Sequence, residues 1–139
     1  MTSNELIIIT TQLTNLATEN EWVEFKENNY APEEVGKRIS ALSNGACLKN
    51  QRFGYLIFGI EDNNHGITGT DFRPKQEKVG GEDLEHWLIK MLSPKIDFRI
   101  YEFEMNNKSI VLFEIPSAAN NPVRFRHKAY IRIGSYTKE

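Results

Sequence analysis

The sequence has a single cysteine, Cys47, among 139 residues. One thiol cannot close an intramolecular disulfide or build a cysteine-rich metal site. A reducing, cytoplasmic location is the corresponding expectation. No apolar run approaches the roughly 18 residues that a membrane span needs, so no membrane partner is expected. The opening "MTSNELIIITTQL" has neither a basic n-region nor a long apolar core, so it does not read as a signal peptide. Charge of one sign is also missing in bulk: the formal net charge is −2, which favours no class of partner. A phosphate-binding P-loop is absent, because Gly36-Lys37 has Ala31 where the upstream glycine should stand. No ATP site is therefore expected. His65, His86 and His127 are dispersed and none pairs with Cys47 in metal-ligand spacing. Internal repeats and low-complexity segments are lacking too.

What is present is an ordinary globular pattern, long enough for one domain with a real core. Thr2 and Glu5 form a capping-box pair, and Leu6, Ile9, Leu13 and Leu16 recur at helical spacing. An N-terminal helix over residues 1–18 follows. "WVEFK" alternates like a strand, with Trp22, Glu24 and Lys26 on one face and Val23 and Phe25 on the other. "APEEVGKRISALSNG" predicts a second helix, with Pro32 in its first turn and Gly45 at its stop. Cys47 then follows a helix end, where a cysteine more often packs than reacts. "GYLIFGIED" predicts a buried central strand, and Leu84, Trp87, Leu88 and Met91 mark a third helix ended by Ser93-Pro94. "IDFRIYEFEM" and "SIVLFEIP" read as a hairpin joined by Asn106-Asn107. The fold class is α+β: a mixed, mostly antiparallel sheet of about seven strands with three helices.

Charge is unevenly placed. Residues 1–48 hold seven acids and three bases, a balance of −4; residues 120–139 hold five bases and one acid, a balance of +4. In "VRFR", Arg124 and Arg126 alternate as if on one face of a strand. A basic face of this kind neutralises phosphates, whereas its bland reading is a charged edge that prevents strand pairing. Glu19 and Glu24 crowd the start of the first strand, and Asp62 ends the central one. Converging carboxylates would select a hard cation such as Mg²⁺ or Mn²⁺. Scattered surface acids are the competing reading.

Several separated segments resemble one family. "ENEWVEFK" is similar to the E-x-x-x-x-E-F-K opening of the Schlafen-type AlbA domain. "VGKRISALSN" resembles the helix that follows, with its A-x-x-N ending at Ala41 to Asn44. "GYLIFGIEDNNHGITG" resembles the family's central strand and turn, and "VLFEIPSAANNPV" and "YIRIGSYT" its last strands. The resemblance implies a nucleic-acid-binding domain over residues 19–139, a DNA-binding module of a transcriptional regulator. DNA or RNA is the implied partner, bound through Lys26, Lys49, Arg52, Arg124, Arg126, Lys128 and Arg132 with no cofactor required. The alternative it implies is a metal-dependent endoribonuclease, with Glu19, Glu24 and Asp62 as catalytic residues holding Mg²⁺ or Mn²⁺. A homodimer and a further C-terminal domain in a longer protein are also expectations.

Overall fold

A computed structural model of the chain describes residues 1–16, 20–134 and 136–139. Helix α1 (Ser3–Thr14) opens on the expected capping box. The Thr2 hydroxyl accepts from the Glu5 amide, and the Glu5 carboxylate accepts from the Thr2 amide, both at 3.1 Å. The helix buries Leu6 and Leu13 but ends at Thr14, so Leu16 is largely exposed instead of extending the inner face. Residues 17 and 18, expected in the same helix, lie outside the described residues.

Strand β1 (Val23–Lys26) runs parallel to the central strand β2 (Phe53–Phe58), with Val23 opposite Tyr55 and Glu24 opposite Leu56. The entry to β1 is fixed by Asn20, whose side-chain oxygen accepts from the amides of Trp22 and Val23 at 3.0 and 2.6 Å. The pleat sends alternate residues to opposite faces. Val23, Phe25, Tyr55 and Ile57 join Leu6 and Leu13 in one core cluster, while Leu56 and Phe58 join the other. Trp22 precedes the strand and packs with the α1-side cluster, 6.4 Å from Tyr55. It does not share Glu24's face, as the alternation had suggested.

Helix α2 (Pro32–Leu48) lies on the other side of the sheet and packs Val35, Ile39 and Leu42 against β2. Pro32, Glu33 and Glu34 occupy its first turn as expected. Gly45 is not its stop. The helix runs through it, and a Cβ at Gly45 would stand 1.9 Å from the Glu21 carbonyl oxygen. That glycine is required by close backbone approach, not by helix termination. Cys47 consequently sits in the last helical turn, and it is exposed.

A two-strand ribbon, β3 (Lys78–Val79) and β4 (Glu82–Asp83), leads into helix α3 (Leu84–Met91), which buries Leu84, Trp87 and Leu88 beside α2. The short strand β5 (Leu92–Ser93) follows. Strands β6 (Arg99–Met105) and β7 (Lys108–Pro116) form the expected hairpin, with Asn106 and Asn107 at φ 51° and 62°. Two successive left-handed residues match the twist of paired strands, and asparagine tolerates them. The principal sheet has the order β1-β2-β7-β6, parallel only between β1 and β2.

The remaining strands are short: β8 (Arg124–Phe125), β9 (Lys128–Ala129), β10 (Ile131–Ile133) and β11 (Tyr136–Lys138). β8 lies between β5 and β9, and β10 pairs with β11. The α+β class stands. The strand count exceeds about seven because the chain adds pairings such as β3, β4, β5 and β9, whose two residues are too few for a period-two pattern.

The last third of the chain is tied to α2 by buried polar side chains. Asn44 donates to the carbonyls of Val123 (3.0 Å) and Tyr130 (2.8 Å) and accepts from the Val123 amide (2.8 Å). Ser40 donates to the Val123 carbonyl at 2.7 Å and accepts from the Tyr130 amide at 3.1 Å. Backbone groups that β8 to β10 leave unpaired are satisfied in this way.

Candidate nucleic-acid interface

Glu24 projects from β1 toward α2 and is 6% exposed. Three cations surround its carboxylate. Arg132, from β10, donates a hydrogen bond to it. Arg38, from α2, lies with Nε 3.3 Å away, and Lys26 lies with Nζ 3.3 Å away. Both arginines are themselves 5% exposed and have second partners. Arg38 donates to the Asn29 carbonyl at 2.7 Å, and Arg132 to the Asn20 carbonyl at 3.2 Å. Buried charges persist only when paired and hydrogen-bonded, and this cluster meets that condition. Arg38 was not among the residues singled out in the sequence. Its signal was local: an arginine surrounded by the apolar face of α2.

The seven cations expected to bind nucleic acid are dispersed. Arg124 and Arg126 do not share a strand face, because β8 ends at Phe125. Arg126 and His127 form a two-residue turn at φ 50° and 74°, with the Arg126 amide bonded to the Met91 carbonyl. Arg124, Arg126 and Lys128 are nevertheless all exposed on the β8–β9 hairpin. Arg126 pairs with Glu33 in the first turn of α2, and Lys128 lies 3.7 Å from Glu139. Lys49 follows the far end of α2 and pairs with Glu21 at 3.7 Å. Sixteen residues of helix separate Glu33 from Lys49, which is about 24 Å. Arg52, which begins the approach to β2, lies over the Phe53 ring at 5.6 Å. Arg132 is buried and held by Glu24, so it is not a surface phosphate ligand.

The three expected metal ligands fare differently. Glu24 faces α2, with cations on its oxygens. Asp62 is exposed in the turn after β2. That turn leans to the α1 side: His65 lies 2.8 Å from the Thr14 carbonyl through Nδ1 and 4.4 Å from the Phe25 ring. Glu19 lies outside the described residues. Among the described residues no three histidine, cysteine, aspartate or glutamate side chains gather as a metal site. A divalent cation at Glu24 would have to displace three positive groups already there, so the described donor set does not fit Mg²⁺ or Mn²⁺.

The family model described as Schlafen, AlbA_2 matches residues 19–139. The chain belongs to that family. This Schlafen-family chain is 30% identical over 92 residues to an uncharacterized ATP-binding protein of Ureaplasma parvum, an alignment covering 66% of the chain and 24% of the relative. It thus spans about a quarter of that protein's length. Among solved structures, the DIP2311 protein of Corynebacterium diphtheriae matches with a TM-score of 0.55 at 18% identity, covering 97% of this chain and 26% of that one. The N-terminal domain of a RecG-related protein from Nitrosomonas europaea matches with the same TM-score and identity, covering 93% and 88%. At such identity these structures establish the fold alone. No helix among the described residues is long and apolar enough to cross a membrane.

Proposed function

We propose that this Schlafen-family domain binds nucleic acid through phosphate contacts made by the β8–β9 hairpin, as a module of a larger regulatory protein. The observation that supports this reading is the display of Arg124, Arg126 and Lys128 on one short hairpin whose position is fixed by β5 and α2. Their carboxylate partners are exposed and weak. Surface ion pairs contribute about 0–1 kcal/mol, so a phosphate can replace Glu33 or Glu139 at small cost. Arg124 has no carboxylate partner among the described residues.

Binding here requires no cofactor. The positive groups around Glu24 favour binding over metal-dependent cleavage, because they occupy the oxygens a cation would need. The name of the Nitrosomonas protein, which relates it to RecG, is consistent with nucleic-acid work in proteins of this fold. The test is fluorescence anisotropy with duplex DNA and with tRNA over a range of salt. Each phosphate contact contributes about 0.9 to the slope of log affinity against log salt on duplex DNA. Arg124→Ala/Arg126→Ala should therefore weaken binding and flatten that slope by about two. Unchanged affinity in the double variant would remove the hairpin from the interface.

A further inference from the structure

Beside the Glu24 cluster lies a recess of about 210 Å³. It is lined by Glu24 and Lys26 of β1 and by Glu34, Lys37 and Arg38 of α2. Tyr136 and Thr137 of β11 also line it. We infer that this recess holds a terminal phosphomonoester, the phosphorylated end of a nucleic-acid strand.

Charge carries the inference. Lys26, Lys37, Arg38 and the Glu24-bound Arg132 are four cations, set against the carboxylates of Glu24 and Glu34. The formal surplus is two positive charges. Glu19 lies outside the described residues and does not enter this count. A phosphodiester carries one negative charge, whereas a phosphomonoester carries about 1.5 to 2 near neutral pH, which matches the surplus. Arg132 bonds the Glu24 carboxylate and so lessens its repulsion of an arriving anion. Arg38 is desolvated, which strengthens its attraction for a charge placed beside it. Lys37 is only loosely engaged, 3.5 Å from Glu34 and 5.9 Å from the centre of the Tyr130 ring, so its ammonium can turn inward. The recess has room for a phosphoryl group but not for the side of a duplex. Tyr136 is 76% exposed at the rim, where its ring offers a stacking surface to the terminal base.

The inference extends the nucleic-acid reading, and the experiment separates the two. Labelled 12-residue single strands are compared with a 5′-phosphate, a 3′-phosphate or hydroxyls at both ends, with AMP and inorganic phosphate as free-ligand probes. One phosphorylated form should bind about tenfold more tightly than the hydroxyl form, as one or two charge-assisted hydrogen bonds imply. Lys37→Ala should bring that ratio close to one and leave hydroxyl-ended binding unchanged, and Lys37→Arg should restore it. Arg124→Ala/Arg126→Ala should weaken all forms by the same factor. Equal affinity for phosphate and hydroxyl ends, or a preference that survives Lys37→Ala, overturns the inference. AMP binding as tightly as the phosphorylated strand would make the ligand a free nucleotide and overturn the strand-end assignment. If no strand binds, the hairpin reading falls, and calorimetry with AMP judges the recess alone. Binding lost in Lys37→Ala would keep the phosphomonoester site, and no binding would overturn it.

Discussion

Arg132 donates a hydrogen bond to Glu24 across 108 residues of sequence, and both side chains are buried. The pair joins β10 to β1, two strands that belong to different sheets. Arg38 adds α2 to the same carboxylate. One glutamate thus ties together the first strand, the second helix and the C-terminal segment.

Removing that glutamate should be costly for folding. Glu24→Gln leaves Arg38 and Arg132 buried without their counter-charge, a loss of about 3–5 kcal/mol. The double variant Glu24→Gln/Arg132→Met should lose clearly less than the sum of the single variants, because it removes both members of the pair. Urea denaturation of the four proteins measures this. Additivity within about 0.5 kcal/mol would mean the pair is not coupled.

Gly45 offers a test in which two rules have opposite signs. Helix propensity alone favours Gly45→Ala by about 1 kcal/mol. Contact with the Glu21 carbonyl, 1.9 Å from the added carbon, opposes it. Overpacking of this kind typically costs about 1–3 kcal/mol, and a backbone neighbour cannot rotate away. The variant should therefore melt at a lower temperature than the parent. A higher melting temperature would show that α2 and the approach to β1 are not in close contact.

Asn44 should tolerate no replacement. Asn44→Asp keeps an acceptor for the Val123 amide but loses both donors, and it sets a carboxylate against the carbonyls of Val123 and Tyr130. Unsatisfied buried groups cost about 1–3 kcal/mol each. Asn44→Asp and Asn44→Ala should both destabilise by about 3 kcal/mol or more in denaturant titrations. A mild effect for Asn44→Asp would contradict the hydrogen-bond assignment.

These residues also show what a sequence can and cannot disclose. The Asn106-Asn107 hairpin and the Thr2/Glu5 cap were legible because their chemistry lies within a few neighbouring residues. Gly45 was misread as a stop, since its real reason is a carbonyl from 24 positions away in the chain. The alternation of Arg124 and Arg126 misled for a related reason. Period-two patterning assumes extended backbone, and Arg126 begins a left-handed turn instead. Glu24 was legible as a residue that turns away from Val23 and Phe25. Its partners were not, because pairing with Arg38 and Arg132 depends on how α2 and β10 return to β1.

Alkaline pH should weaken the fold through Tyr55. Burial pushes its hydroxyl up to about 12, and Glu114, opposite it on β7, adds to the shift. The unfolded value is about 10. A group whose pKa is raised on folding stabilises fully below its unfolded value and loses that contribution as pH rises through the folded one. The loss should fall between about pH 10 and 12. Tyr55→Phe has no hydroxyl to ionise, so its stability should fall less over the same window. Parallel pH profiles for the two proteins would remove Tyr55 as the cause.

Glu24→Gln also separates a binder from a metal-dependent nuclease, because the two roles predict effects of opposite sign. In a phosphate-binding domain the carboxylate opposes the ligand, so its neutralisation should tighten binding of a phosphorylated strand. Circular dichroism at low temperature first establishes that the variant is folded, given its expected loss of stability. Affinity should then rise a few-fold, by the interaction of one partly screened charge. Mn²⁺ and chelator should leave both proteins' binding unchanged, since three cations already surround Glu24. Asp62→Asn should change little, because Asp62 is exposed on a turn that packs toward α1. The opposite result is equally distinct. Cleavage of tRNA that requires Mn²⁺ and disappears in both Glu24→Gln and Asp62→Asn would mean that these carboxylates share a cation. Metal binding would then have to displace Lys26, Arg38 or Arg132 from Glu24, and the nuclease role would replace the binding one.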